Sequence, residues 1–213
     1  MKKKIYIIAL LSIIKLNVNA QEQTPVADST TTDKSWSFDL STTLFLFKGG
    51  DYTIMPDFKV DKNRLHLQAR YNYEDDQTAS LWAGYNFEVG DKLVWKASPM
   101  IGAVAGNSNG VAPGIVYTLT YKSIEWYSES EYFFSVENND DNYFYVSSDL
   151  SYSFTDFFWL GVELNRSHIF KSTRDVQYGI LIGGTYKWFI FNGCVYELGT
   201  SDTSVGLTFE VKF

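Results

Sequence analysis

Four of the 213 residues are proline, two are histidine and one is cysteine. A lone Cys194 excludes an intrachain disulfide and a thiolate metal cluster. Two histidines, His66 and His168, are too few for a histidine metal site, so no metal or cofactor is expected. Beyond the first twenty residues no run of 18 apolar residues occurs. The uncharged stretch 97–120 is interrupted by Pro99, Asn107, Asn109 and Pro113. A helical membrane protein is therefore excluded. Basic residues are also scarce. Loss of Lys2, Lys3, Lys4 and Lys15 with a leader would leave 14 basic against 25 acidic residues, a formal net charge of −11. Such a chain is not expected to bind nucleic acid or anionic phosphates by bulk charge. There is no glycine-rich phosphate loop between a strand and a helix.

What is abundant is aromatic: 6 Trp, 15 Tyr and 16 Phe. The last ten residues, 204–213, alternate apolar and small or polar side chains and end on Phe213. Period two is the signature of a strand with one apolar and one polar face. From Trp36 onward twelve such segments follow one another, at 36–48, 51–60, 64–74, 79–89, 92–104, 111–121, 124–136, 143–154, 157–169, 176–187, 189–198 and 204–213. Each is about ten residues long, the length of a tilted membrane strand. Pro56 and Pro99 lack the N–H a ladder uses, so each requires a bulge or a missing bond. If the second segment is a loop, ten strands is the fallback, because single-chain bacterial barrels have even strand numbers. Twelve returns both ends of the barrel to the periplasmic side.

Met1-Lys-Lys-Lys4, the apolar run 5–14 and the small residue Ala20 match a secretory signal peptide cut between Ala20 and Gln21. Residues 21–34 hold almost no large apolar side chain and are expected to form a mobile periplasmic tail. The expected organisation is thus a signal peptide over 1–20, a tail over 21–34 and a barrel over 35–213.

The alternation assigns one side of each strand to lipid. That side includes Leu65, Leu67, Leu81, Ile115, Leu119, Val146, Leu150, Leu160 and Val162. Aromatic girdles are expected at both rims, with Tyr85, Phe87, Trp95, Tyr121, Trp126, Tyr152, Phe154, Phe158 and Tyr186 on the periplasmic side. Tyr71, Tyr73, Phe134, Phe144 and Tyr178 form the outer set. The opposite parity places Asp39, Asp57, Lys59, His66, Gln68, Arg70, Asn72, Lys96, Glu125, Glu129, Glu131, Asp149, Glu163, Asn165, Lys187, Glu210 and Lys212 in the lumen. Such a lumen carries both signs and leans acidic. It suits either a narrow conduit for small neutral or cationic solutes or an interior closed by ion pairs. Twelve strands fall between the filled eight-stranded barrel and the open sixteen-stranded one. The connections expected outside are short, leaving no large plug loop.

The terminal strand, with Phe209, Val211 and Phe213, resembles the last strand of bacterial outer-membrane β-barrels. In that family it closes the barrel and is read by the assembly machinery. The stretches 65–75 and 80–87 resemble small outer-membrane barrels of uncharacterised function. The resemblance over 36–213 implies an all-β, transmembrane, antiparallel up-and-down barrel in the Gram-negative outer membrane, partnered by its lipid. Small twelve-stranded porins for acidic oligosaccharides are similar in length and strand count. Their lumens are strongly basic and this one is not, so that substrate is not implied. Ser167-His168 is the one pair suited to an outer-membrane lipase or deacylase. Neighbours on a strand point to opposite faces, which argues against a shared proton. No enzyme activity is expected.

Overall fold

The computed structural model describes residues 35–169 and 175–213. The signal-peptide and tail assignments lie outside them, as do the side chains of Ser167 and His168. Thirteen strands follow in chain order: β1 (Ser37–Leu46), β2 (Tyr52–Lys62), β3 (Leu65–Tyr71), β4 (Ala79–Tyr85), β5 (Phe87–Val89), β6 (Leu93–Ala105), β7 (Gly110–Tyr121), β8 (Ile124–Ser135), β9 (Tyr143–Thr155), β10 (Phe158–Ile169), β11 (Asp175–Tyr186), β12 (Phe189–Tyr196) and β13 (Ser204–Lys212). Consecutive strands pair antiparallel, except that β4 and β5 both pair with β6. Their registers against β6 are continuous, so β4 and β5 are one stave interrupted at Asn86. The barrel therefore has twelve staves. It closes where β1 pairs with β13, from Asp39↔Lys212 to Leu46↔Val205.

Three prolines sit inside strands, and each interrupts the ladder on one side only. Pro56 is paired with Thr42 on β1, while the β2–β3 ladder stops at Asp57↔Arg70. Pro99 is paired with Ile115 on β7 and falls in the gap between the β4 and β5 ladders. Pro113 is paired with Ile101 on β6 but not with β8. The missing N–H thus costs pairing to one neighbour without a slip in register, and the segment over 51–60 is a strand.

Burial alternates as a lipid-solvated barrel requires. On β4, Leu81 is 69% exposed and Trp82 next to it is 2% exposed. The exposed set includes Leu40, Ile54, Leu67, Ile101, Val162 and Ile180. Nothing but a membrane makes this belt favourable, since apolar surface is costly in water. Rings gather at the periplasmic rim: Tyr85 lies 4.7 Å from Phe87 and Tyr152 4.9 Å from Phe154. Tight turns close this end, several through left-handed residues, Asn63, Lys122 and Lys187.

One girdle assignment is corrected. Tyr73 does not face lipid. Asn72, just beyond β3, has φ 58°, which breaks the alternation. The Tyr73 ring instead lies 4.4 Å from the Arg70 guanidinium and edge-on to Tyr145, at 5.9 Å. The outer connection over 72–78 turns inward with it.

Candidate functional site: the barrel interior

Arg70 is the hub of the interior. Its side chain is fully buried and pairs with three carboxylates: Glu129 at 2.5 Å, Glu131 at 3.1 Å and Glu74 at 3.7 Å. Its guanidinium also donates to Gln68 Oε1 at 3.0 Å and lies 4.7 Å from the Trp82 ring. Glu129 and Glu131 belong to β8, four staves from β3, so these bonds cross the interior rather than follow the sheet. The carboxylates are bonded in turn. The Tyr143 hydroxyl donates to Glu131 (3.1 Å), that of Tyr127 to Glu129 (3.0 Å), and Ser80 Oγ to Glu74 (2.6 Å). Gln68 donates to Asp57, and Asp57 pairs with Lys59 at 3.1 Å. A buried charge is tolerable only when its partners are supplied in this way.

An apolar block packs beside the hub in the outer half of the barrel. Trp82, Met100, Val104, Ala112 and Phe133 form it, with Tyr143 stacked on Phe133 at 5.0 Å. Gly102, directly across from Trp82, makes it possible: a Cβ there would sit 2.5 Å from the indole. The interior of this sector is therefore filled by side chains.

The opposite wall differs. β10 lies six staves from β3, halfway round. There Glu163 faces Asp149 of β9 directly. Glu163 accepts from the Tyr196 hydroxyl (2.6 Å) and from Asn165 (2.9 Å). Asp149 Oδ1 is buried with no hydrogen bond among the described residues. Cys194 is buried beneath Tyr196 and Leu181. Toward the periplasmic end, Lys212 lies 2.6 Å from Glu210 and 3.8 Å from Asp39. His66 Nδ1 lies 2.8 Å from Asp61, which also accepts from Asn86 at 2.6 Å.

Other positions singled out by alternation sit at the rims. Lys96 and Glu125 are exposed near the periplasmic end, Glu125 accepting from Thr120 at 3.3 Å. Lys187 occupies the β11–β12 turn with its ammonium over the Tyr186 ring. Asn72 bonds the backbone of Ile54 and Gln77. Sequence reasoning missed Glu74, Asp61 and the inward tyrosines 73, 127, 143 and 196. The even parity of Trp82 on a clearly alternating strand was the one available signal for the apolar block.

At the seam, Phe213 exchanges two backbone hydrogen bonds with Phe38 (2.8 and 2.9 Å), and their rings stack at 5.7 Å. Phe209 packs on Phe191 at 5.0 Å, and Val211 pairs with Leu40.

A closed antiparallel barrel with an exposed apolar belt, ring clusters at its rim and charges held inside defines a transmembrane barrel of the outer-membrane type. No family model matches the sequence, and no curated protein matches it. Among solved structures the chain is similar to the KdgM porin, at 12% identity and TM-score 0.60, over 82% of this chain and 99% of that one. It is similar to the NanC porin at 9% identity and TM-score 0.54, over 82% and 98% of the two chains. Omp33 of Acinetobacter baumannii matches at 10% identity and TM-score 0.51, over 84% and 98%. The porin fold is what they share.

Proposed function

We propose that this barrel is a narrow porin-like channel of the outer membrane for small neutral or cationic solutes. The observation that carries the reading is the Asp149–Glu163 pair, two carboxylates face to face on the interior wall with no lysine or arginine bonded to either among the described residues. Fixed negative charge in a confined polar passage favours cations and repels anions. The lumen-lining set is then Asp39, Asp149, Glu163, Asn165 and Glu210 along the conducting side. Arg70, Gln68, Glu129 and Glu131 narrow it from the other. A KdgM porin has been solved in complex with oligogalacturonate. An acid-leaning lumen disfavours such a polyanion, so that ligand is not carried over. Reversal potentials in planar bilayers under a KCl gradient test the reading. Cation preference is expected; anion preference, or no conductance above the lipid background, refutes it.

The Arg70 bridge from β3 to β8 favours a second reading, a barrel closed by its own ion pairs that serves a structural or surface-interaction role. We read the chain as non-enzymatic in either case. Residues 1–20 are taken as a signal peptide cut before Gln21, with 21–34 as a periplasmic tail. Mature protein beginning at Gln21 on N-terminal sequencing is the expected result. Phe209, Val211 and Phe213 are taken as the signal read by the outer-membrane assembly machinery.

A further inference from the structure

The outward face of β9 to β12 is not smooth. A groove of about 620 Å³ is lined there by Leu150, Val162, Leu164, Tyr178, Ile180 and Leu198, among others. The strand residues among them carry the lipid-facing parity, and Tyr178 and the loop residue Leu198 are 63% and 67% exposed. Leu164, paired with Ser148 and Tyr178, marks the row toward the outer rim. Two residues further along β10, on the same face and about 7 Å away by strand rise, stands Arg166. Its cross-strand neighbours are Val146 and Val176, both apolar. Its inward neighbour Asn165 is bonded to Glu163, which fixes the parity. Arg166 Nε is buried and has no hydrogen-bond partner among the described residues.

A cation on the lipid side of a barrel is costly at the midplane and nearly neutral at the headgroup level. Arg166 stands near the outer end of β10, one row above an apolar groove, on the side of the barrel where headgroups are met. The guanidinium matches phosphate in a bidentate manner. We propose that β9–β12 carry a binding site for a phosphate-bearing lipid of the outer leaflet, its phosphate on Arg166 and an acyl chain in the groove. The site rests on the membrane location and orientation of the barrel, and is independent of whether the lumen conducts.

Native mass spectrometry of the barrel in a neutral detergent tests the site. The probes are dipalmitoyl phosphatidic acid and dipalmitoylglycerol, which share chains and differ in the phosphate. The wild type is expected to retain the phosphatidic acid about tenfold better. Arg166→Gln abolishes that preference, Arg166→Lys keeps part of it, and Val162→Trp, which fills the groove, weakens retention of both lipids. Lys48→Gln, in the exposed β1–β2 connection and not part of the groove lining, changes nothing. Equal retention of the two lipids by the wild type overturns the proposal, a comparison that needs no variant to fold. Displacement by millimolar inorganic phosphate also overturns it, because the site would then take free anion. So does an Arg166→Gln barrel that keeps the preference.

Discussion

Arg70 on β3 and Glu131 on β8 meet at 3.1 Å across the interior, four staves apart in the sheet. The bond joins walls that share no ladder, and Glu129 and Glu74 share the same guanidinium. Removing the arginine strands three carboxylates in a buried site. Breaking one side of a buried pair costs ~3–5 kcal/mol. Arg70→Ala is therefore expected to lower the guanidinium unfolding midpoint of the detergent-solubilised barrel. It also removes the bulk that spans the lumen, so single-channel conductance rises in the same variant. An unchanged midpoint would mean the carboxylates are solvated or protonated in the native barrel. A fall in stability with no rise in conductance would place the constriction at the Trp82–Phe133 block instead.

Trp82 owes its place to Gly102. Any Cβ at that position meets the indole at 2.5 Å, from a residue directly opposite on the neighbouring strand. Gly102→Val forces the ring from its packed position against Met100 and Phe133, and overpacking of this kind costs ~1–3 kcal/mol. The expected result is a lower unfolding midpoint with a blue-shifted or red-shifted tryptophan emission. A double variant, Gly102→Val with Trp82→Leu, is expected to recover part of the loss. If the single variant unfolds like the wild type, the block is loosely packed.

Much of the fold is legible in period two alone, because lipid and lumen impose opposite chemistry on alternate residues. Leu65 to Tyr71 and Leu81 to Tyr85 declare their outward faces without ambiguity. Two kinds of feature escape that rule. Parity holds only while φ stays extended, so the left-handed Asn72 sends Tyr73 and Glu74 into the barrel where a continued strand would point Tyr73 outward. Nor does parity say which inward groups meet. Arg70 selects Glu129 and Glu131 on β8 because the barrel's closure brings those staves within reach, a relation absent from any local window. The three strand prolines are the intermediate case. The sequence says that Pro56 and Pro99 must each bring a bulge or a missing bond, and the closed sheet decides which neighbour forgoes it, for Pro113 as well.

Asp149 and Glu163 stand opposite each other on adjacent strands, with the Tyr196 hydroxyl and the Asn165 amide bonded to Glu163. Carboxylates so placed repel when both are ionised, and in the proposed channel a cation between them relieves the repulsion. Asp149→Asn and Glu163→Gln are each expected to reduce cation over anion selectivity while leaving barrel stability equal or higher. The shift in reversal potential under a salt gradient reads the first effect and the unfolding midpoint the second. Selectivity unchanged in the double variant would move the filter elsewhere, to Asp39 and Glu210 near the periplasmic end.

Phe213 closes the seam through its backbone and its ring together. The two hydrogen bonds to Phe38 survive any side-chain change, whereas the stack at 5.7 Å does not. Phe213→Ala isolates the ring. An aromatic pair contributes ~0.5–1.5 kcal/mol beyond its buried area, so the folded barrel is expected to lose about that much in a detergent unfolding titration. If the residue is also read during assembly, the barrel yield in cells falls by more than this modest loss explains, while refolding in vitro remains efficient. Phe213→Tyr keeps the ring and is expected to restore both. Equal cellular yields for Phe213→Ala and the wild type would leave Phe213 with the seam alone and give the assembly role to other residues of the last strand.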